Sequence, residues 1–252
     1  MGLGRYADRC PGEIAVHRIN LARINADYCS CLNDDERARA ARFHFAPDRA
    51  RFVTSRIALR HILGEALGVE PAGVRFALGV HGKPEIVRDC NEGDWRFNLS
   101  HSGNISLIAV TQGRPVGIDV EILRRLPRQM IEILPSLSPA ERLALRLVAE
   151  PARPTAFLRC WTRKEALIKA IGAGLTQDLA SFSVSIGTAA APVIWETAAR
   201  AELGQWSLHA LDQPRAEPTP FIAALAVSGA PGPIRLLDFH LTGTDPQAEN
   251  HS

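Results

Sequence analysis

Asp119 and Glu121 stand two apart in the run V-G-I-D-V-E-I-L (residues 116–123), so on a strand their carboxylates share one face and Ile118, Val120 and Ile122 the other. Two sheltered acids with no cation beside them repel each other, which makes a hard divalent cation a natural occupant of their pocket; the alternative is a solvated polar strand face. A third acid, Glu165, lies in W-T-R-K-E-A-L-I-K (residues 161–169). At about 100° per residue it falls between Trp161 and Leu158, near Ile168, so its carboxylate is aimed inward. Lys164 falls inside the apolar arc of Phe157, Cys160, Ile168 and Ile171, an expensive place for an ammonium without a partner. Lys169, four residues after Glu165, reads either as an i, i+4 partner of that acid or as a cation of the same site.

Arginine dominates the 29 basic residues, and only Lys83, Lys164 and Lys169 are lysine. A chain that prefers the planar guanidinium should keep an ammonium where a compact, flexible point charge is required. Lys83 lies in H-G-K-P-E, where Gly82 frees the backbone and Pro84 stiffens the exit, so a lysine can be held toward a ligand. His101, in F-N-L-S-H-S-G, ends a strand where Ser100, Ser102 and backbone amides could form an anion-binding turn; a structural histidine is the alternative. There is no nucleophile elbow, zinc spacing, phosphate-binding glycine loop or dinucleotide glycine pattern. The inventory suits magnesium-assisted attack on a phosphate ester or anhydride.

The elements that must position these groups can be read from periodicity and caps. Asn33 and Glu36 form a capping box that opens a first helix, and a second runs from Pro47 to Gly68 with the stripe Phe52, Leu59, Leu63, Leu67 and with Arg56 in its middle. Strands follow at 74–78, 95–99, 105–110 and 116–123, the last two read as a hairpin through T-Q-G-R-P. The order then recurs: a helix at 138–150 capped by Ser138 and Glu141, a longer helix at 155–171, and strands at 182–186, 206–211, 221–227 and 234–241. Residues 55–64 align without gaps against 163–172. The reading is therefore α/β (α+β), a pseudo-twofold duplication of two lobes, each a small, mostly antiparallel sheet packed by helices. One lobe spans 1–112 and the other 113–241, and 242–252 form a loose polar tail.

Composition bounds the function. At 252 residues, 46% hydrophobic and 22% charged, the chain can bury a real core. A net charge of +2 and 6% aromatic residues argue against sequence-independent nucleic-acid binding, RNA included. Five cysteines (Cys10, Cys29, Cys31, Cys90, Cys160), odd in number and without a C-x-x-C pair, read as reduced thiols, and no apolar run is long enough to span a bilayer. A cytoplasmic monomer without membrane or nucleic-acid partners is the expectation.

The motifs resemble the 4′-phosphopantetheinyl transferases, in particular the large two-lobed surfactin-synthetase-activating type. They are G-K-P at 82–84, F-N-L-S-H-S at 97–102, G-I-D-V-E at 117–121 and W-T-R-K-E-A-L-I-K at 161–169, with a looser match in R-F-H-F-A-P-D-R-A-R-F at 42–52. The resemblance implies transfer of the phosphopantetheine arm of coenzyme A to a serine of an apo acyl or peptidyl carrier protein, a small, acidic and helical partner, with 3′,5′-ADP leaving. It implies that Asp119, Glu121 and Glu165 hold Mg²⁺ (or Mn²⁺) on the diphosphate, that Asp119, Glu165 and Lys169 are catalytic, and that Lys169 contacts the diphosphate. Arg51, Lys83, Pro84, Ser100 and His101 would hold the nucleotide side and the 3′-phosphate, and Lys164 would be phosphate-proximal or structural. Serine deprotonation by Glu165, directly or through a metal-bound water, stays open. Arg37, Arg39 and Arg42 stand where the pattern has lysines. The carriers such enzymes modify serve fatty-acid, polyketide, peptide-synthetase and lysine pathways, and nothing in the motifs selects one. Arg124, Arg125 and Arg128 beside Leu126 and Met130 read either as a basic rim for the carrier or as a solvated loop. The competing reading is a duplicated domain that binds coenzyme A or a carrier without chemistry.

Overall fold

The computed structural model describes residues 10, 12–22, 30–79, 81–123, 134–172, 178–187, 191–192, 194–195, 205–212, 219–230 and 232–240. Two four-stranded sheets organise them. The first has β1 (Ile14–Asn20) between β12 (Ile234–Asp238) and β5 (Ile105–Gln112), with β4 (Trp95–Ser102) at its edge. The second runs β6 (Val116–Ile122), β11 (Phe221–Ser228), β10 (Trp206–Ala210), β8 (Ala191–Pro192). All neighbours are antiparallel except β1 and β12. Two small ribbons complete the strands: β2 (Phe76–Leu78) with β3 (Pro84–Ile86), and β7 (Phe182–Ser183) with β9 (Ile194–Trp195).

The alternation of each strand decides what it covers. Ile14, Val16, Leu107 and Ala109 of the first sheet and Val116, Ile118, Val120, Phe221, Ala223, Leu225 and Val227 of the second form one buried cluster, so the sheets pack face to face. The opposite face of the first sheet carries α2 (Ala46–Leu67) through Ala58, Leu59, Ile62 and Leu63. That of the second carries α3 (Pro139–Leu147) and α4 (Arg153–Ile171). The short helix α1 (Asp34–Ala41) and α3 both open with the expected capping boxes, Asn33 with Glu36 and Ser138 with Glu141. The two long helices end on Gly68 and Gly172 in the left-handed conformation. The mixed α/β architecture of small, mostly antiparallel sheets packed by helices is as the pattern predicts.

The hairpin expected over 105–123 does not form. Both edges of β5 are already used, by β1 and β4, and β6 pairs with β11 in the other sheet. The hairpin is instead β4–β5, closed by Gly103 at φ 54° and Asn104, a two-residue loop of the kind that matches strand twist. The strand at 234–238, read with the second lobe, lies in the first sheet beside β1. Neither β1 nor β3 was foreseen: β1 is buried on both faces from Ile14 to His17, so it shows no alternation.

Candidate active site

The site lies where the sheets meet. Edge strand β4 runs beside edge strand β6, and side chains of β4 make the bonds a backbone ladder would make: Asn98 Oδ1 accepts from Ile118 N (2.9 Å) and Ser102 Oγ from Ile122 N (3.2 Å). The same pleat face of β4 serves the acids, since Ser100 Oγ donates to Asp119 Oδ1 and Ser102 Oγ to Glu121 Oε2, each at 2.8 Å. Ser100 and Ser102, read as an anion-binding turn, are donors to carboxylates here. The polar alternation Asn98, Ser100, Ser102 was the signal in sequence for this role.

From above, α4 reaches the acids because Gly117 lets it approach. A Cβ at Gly117 would lie 2.0 Å from Ala166 O and 2.4 Å from Ala170 N. Lys169 Nζ thereby donates to Asp119 Oδ1 at 2.5 Å and to Ser100 Oγ at 3.0 Å. Its contact is Asp119 rather than the i, i+4 surface partner Glu165. Burial pushes the Asp119 carboxyl above the usual carboxylate range, against the pull of Lys169 and the hydrogen bonds of Ser100 and Val120 N. Glu165 is raised too, by burial first and then by Asp119, with Glu121 adding and Lys169 opposing. The three acids thus share one field although they come from two elements.

Among the described residues no three His, Cys, Asp or Glu side chains already converge as a ligand cage. The chemistry of the set nonetheless fits a hard divalent cation. Its donors are all carboxylate oxygens, Glu165 is raised by both neighbouring acids, and Asp119 Oδ2 is buried without a hydrogen-bond partner among the described residues.

Other expected residues fall in three places. Arg51, on α2, donates to Asn104 Oδ1 (3.1 Å) in the β4–β5 turn and to Asp48 Oδ1 (2.8 Å), while His101 is exposed on β4 three residues before Asn104. Arg51 thus reaches the turn that follows Ser102, and His101 stands between the two acid-bonded serines on the other pleat face of β4. Pro84 begins β3, and the ammonium of Lys83 lies against backbone carbonyls at the end of α4 and the start of β6. Burial lowers the Lys83 pKa to about 8, with Glu85 opposing and Arg96 lowering it further.

Of the two roles open to Lys164, phosphate-proximal or structural, its contacts support the structural one. Lys164 is fully buried, pairs with Glu141 Oε1 at 2.9 Å, donates to Leu179 O and Phe182 O at 2.6 Å each, and lies 4.0 Å from the centroid of the Phe182 ring. Every donor of that ammonium is consumed inside the second lobe, so it has none for a phosphate. The basic rim at Arg124, Arg125 and Arg128 lies outside the described residues.

Two family models match the chain: the 4′-phosphopantetheinyl transferase superfamily over residues 115–226, and the 4′-phosphopantetheinyl transferase N-terminal model over 24–113. The chain is 41% identical over 170 residues to the 4′-phosphopantetheinyl transferase HetI of Nostoc sp. (strain PCC 7120), covering 66% of this chain and 71% of that protein. It is 34% identical over 152 residues to a protein of Synechocystis sp. (strain PCC 6803) named as a transferase of that kind, covering 60% and 61%. To the transferase Sfp of Bacillus subtilis (strain 168) it is 27% identical over 162 residues, covering 64% and 70%.

Proposed function

The chain belongs to the 4′-phosphopantetheinyl transferase superfamily, and from that premise we propose that it transfers the 4′-phosphopantetheine arm of coenzyme A to a serine hydroxyl of an apo carrier protein. The observation that carries the reading is the contact of Lys169 with Asp119 across α4 and β6, with Asp119 Oδ2 buried beside it and without a hydrogen-bond partner among the described residues. A relic that only binds needs neither a buried acid raised by desolvation nor a cation held against it.

In the transfer the serine oxygen bonds to the phosphorus that carries pantetheine, and the bond from that phosphorus to 3′,5′-ADP breaks. Glu165 takes the serine proton, directly or through a water, and its raised affinity for a proton suits a base. Lys169, a point charge on a flexible stem, offsets the charge that gathers on the departing diphosphate. Asp119, Glu121 and Glu165 would hold a Mg²⁺ ion, which when bound supplies charge neutralisation on the diphosphate oxygens. Ser100 and Ser102 fix the rotamers of two of these acids. Arg51 and His101, with Pro84 on the ribbon, form the nucleotide side; the partner is a carrier whose serine reaches the acid cluster.

The test is incubation with coenzyme A, Mg²⁺ and a small panel of apo carriers, read by intact mass. The expected result is a carrier heavier by one phosphopantetheine, with turnover lost on exhaustive chelation. Coenzyme A binding without modification of any carrier would favour the relic, and full turnover after chelation would remove the metal.

A further inference from the structure

We propose that Lys83 is a positioning residue, a clasp from the first lobe that holds the end of α4 and the start of β6 together and so sets Lys169 over Asp119. The last carbonyls of a helix have no partner within it. At the end of α4, Ile168 O is taken by Gly172 N (2.9 Å), and among the described residues no backbone N–H meets the carbonyls of Lys169 and Ala170. Lys83 Nζ serves them, at 2.7 Å from Lys169 O and 3.5 Å from Ala170 O, and it also lies 3.2 Å from Val116 O at the first residue of β6. A cation at a helix C-terminus is favoured by the helix dipole as well as by the hydrogen bonds.

The position of these carbonyls gives the clasp its consequence. Lys169 O belongs to the residue whose ammonium touches Asp119, and Val116 lies three residues before Asp119 on the strand. One ammonium therefore ties the backbones of both partners of the 2.5 Å contact. Its own backbone is tied down in turn: Gly79 N donates to Lys83 O (2.8 Å), Gly82 N donates to Gly79 O (2.9 Å), and Gly82 at φ 76° makes the turn that aims the side chain. The methylene stem passes Gly172, where a Cβ would come 3.9 Å from Lys83 Cδ. The tether runs from the ribbon of β2 and β3 to α4 and β6, and it acts on the catalytic groups through their backbones.

The inference rests on the transferase reading for its kinetic test, and a structural readout keeps the two separable. Lys83→Met keeps the stem and removes the charge; Lys83→Gln, which retains a donor, serves if Met does not fold. The clasp predicts a fall in kcat of at least ~10-fold, the scale of a small misplacement of catalytic groups, with the preference for coenzyme A over 3′-dephospho-coenzyme A unchanged. It also predicts faster amide hydrogen exchange in the last turn of α4, measured without substrate, and partial rescue of kcat in Lys83→Arg. Collapse of the preference for the 3′-phosphate would make Lys83 a phosphate ligand and overturn the proposal, as would unaltered exchange in α4. A wild-type protein inactive on every carrier would overturn the transferase reading, while the exchange measurement would still decide the clasp.

Discussion

At the scale of single residues, Lys169 is the most exacting position. Its ammonium fits between Asp119 Oδ1 and Ser100 Oγ at 2.5 and 3.0 Å, and a planar guanidinium on a longer stem cannot occupy the same point. Lys169→Arg is expected to lower kcat/KM by at least ~10-fold, about 1.4 kcal/mol of transition-state stabilisation, measured by steady-state carrier modification. Wild-type kinetics would return Lys169 to a surface role. Glu165 gives a second expectation, in stability rather than rate. Its carboxyl is raised by burial and by Asp119, so the folded state holds its proton more tightly than the unfolded chain does. Below the ordinary glutamate range both states are protonated, and Glu165→Gln should match the wild type. As pH rises the unfolded chain ionises first, and the native wild type loses stability until its own raised pKa is passed. Metal-free Glu165→Gln should therefore melt higher than the wild type at pH 8 and equally at pH 4, measured by thermal unfolding. A variant that melts lower at pH 8 would mean that Glu165 is stabilised by its surroundings. The three lysines also justify reading residue type in an arginine-biased chain, since each sets its ammonium against carbonyls or a carboxylate.

At the scale of elements, the approach of α4 to β6 is what turns two sequence motifs into one site. Gly117 is the residue that permits it, because a methyl there would meet the backbone of Ala166 and Ala170 rather than a side chain that could swing away. Gly117→Ala should cost about 1–3 kcal/mol in urea unfolding and reduce turnover out of proportion to the folded fraction. Normal turnover would show that the helix can ride higher without losing the Lys169–Asp119 contact. Much of this scale was legible in the chain: both capping boxes, the two long helices with their glycine ends, and the acid face of β6 rest on local spacing. The sheet partners were not. T-Q-G-R-P has turn chemistry, but whether a turn closes a hairpin depends on a free edge, and the edges of β5 are taken by strands remote in sequence. The burial of Lys164 was legible from helical phase, whereas its partner Glu141 sits on another helix and had no local signature.

At the scale of the whole molecule, the duplication is visible in a device that recurs in each half. The acid that completes the capping box of the short helix also pairs with a cation in the long helix: Glu36 with Arg56 and Arg60, Glu141 with Lys164. The cation in turn faces an aromatic ring, Arg56 at 4.6 Å from the centroid of Phe76 and Lys164 at 4.0 Å from that of Phe182. The gapless alignment of 55–64 with 163–172 sets Arg56 opposite Lys164, and it sets Ile57 opposite Glu165, so the first copy keeps the framework without the acid. The halves are nevertheless not independent bodies. The strand β12 crosses back to pair with β1, the β4 edge is completed by side-chain bonds to β6, and the inner faces of the sheets bury each other. A fragment of residues 1–112 would lack β12, expose Ile14, Val16, Leu107 and Ala109, and leave Asn98, Ser100 and Ser102 without their partners on β6. Loss of so much apolar cover from a sheet of three remaining strands exceeds the margin of a domain this small. The fragment should therefore show no cooperative transition on heating by circular dichroism, and mixing it with residues 113–252 should restore one. A fragment that unfolds cooperatively alone would make the lobes separate folding units and leave their contact at the acid cluster a matter of docking.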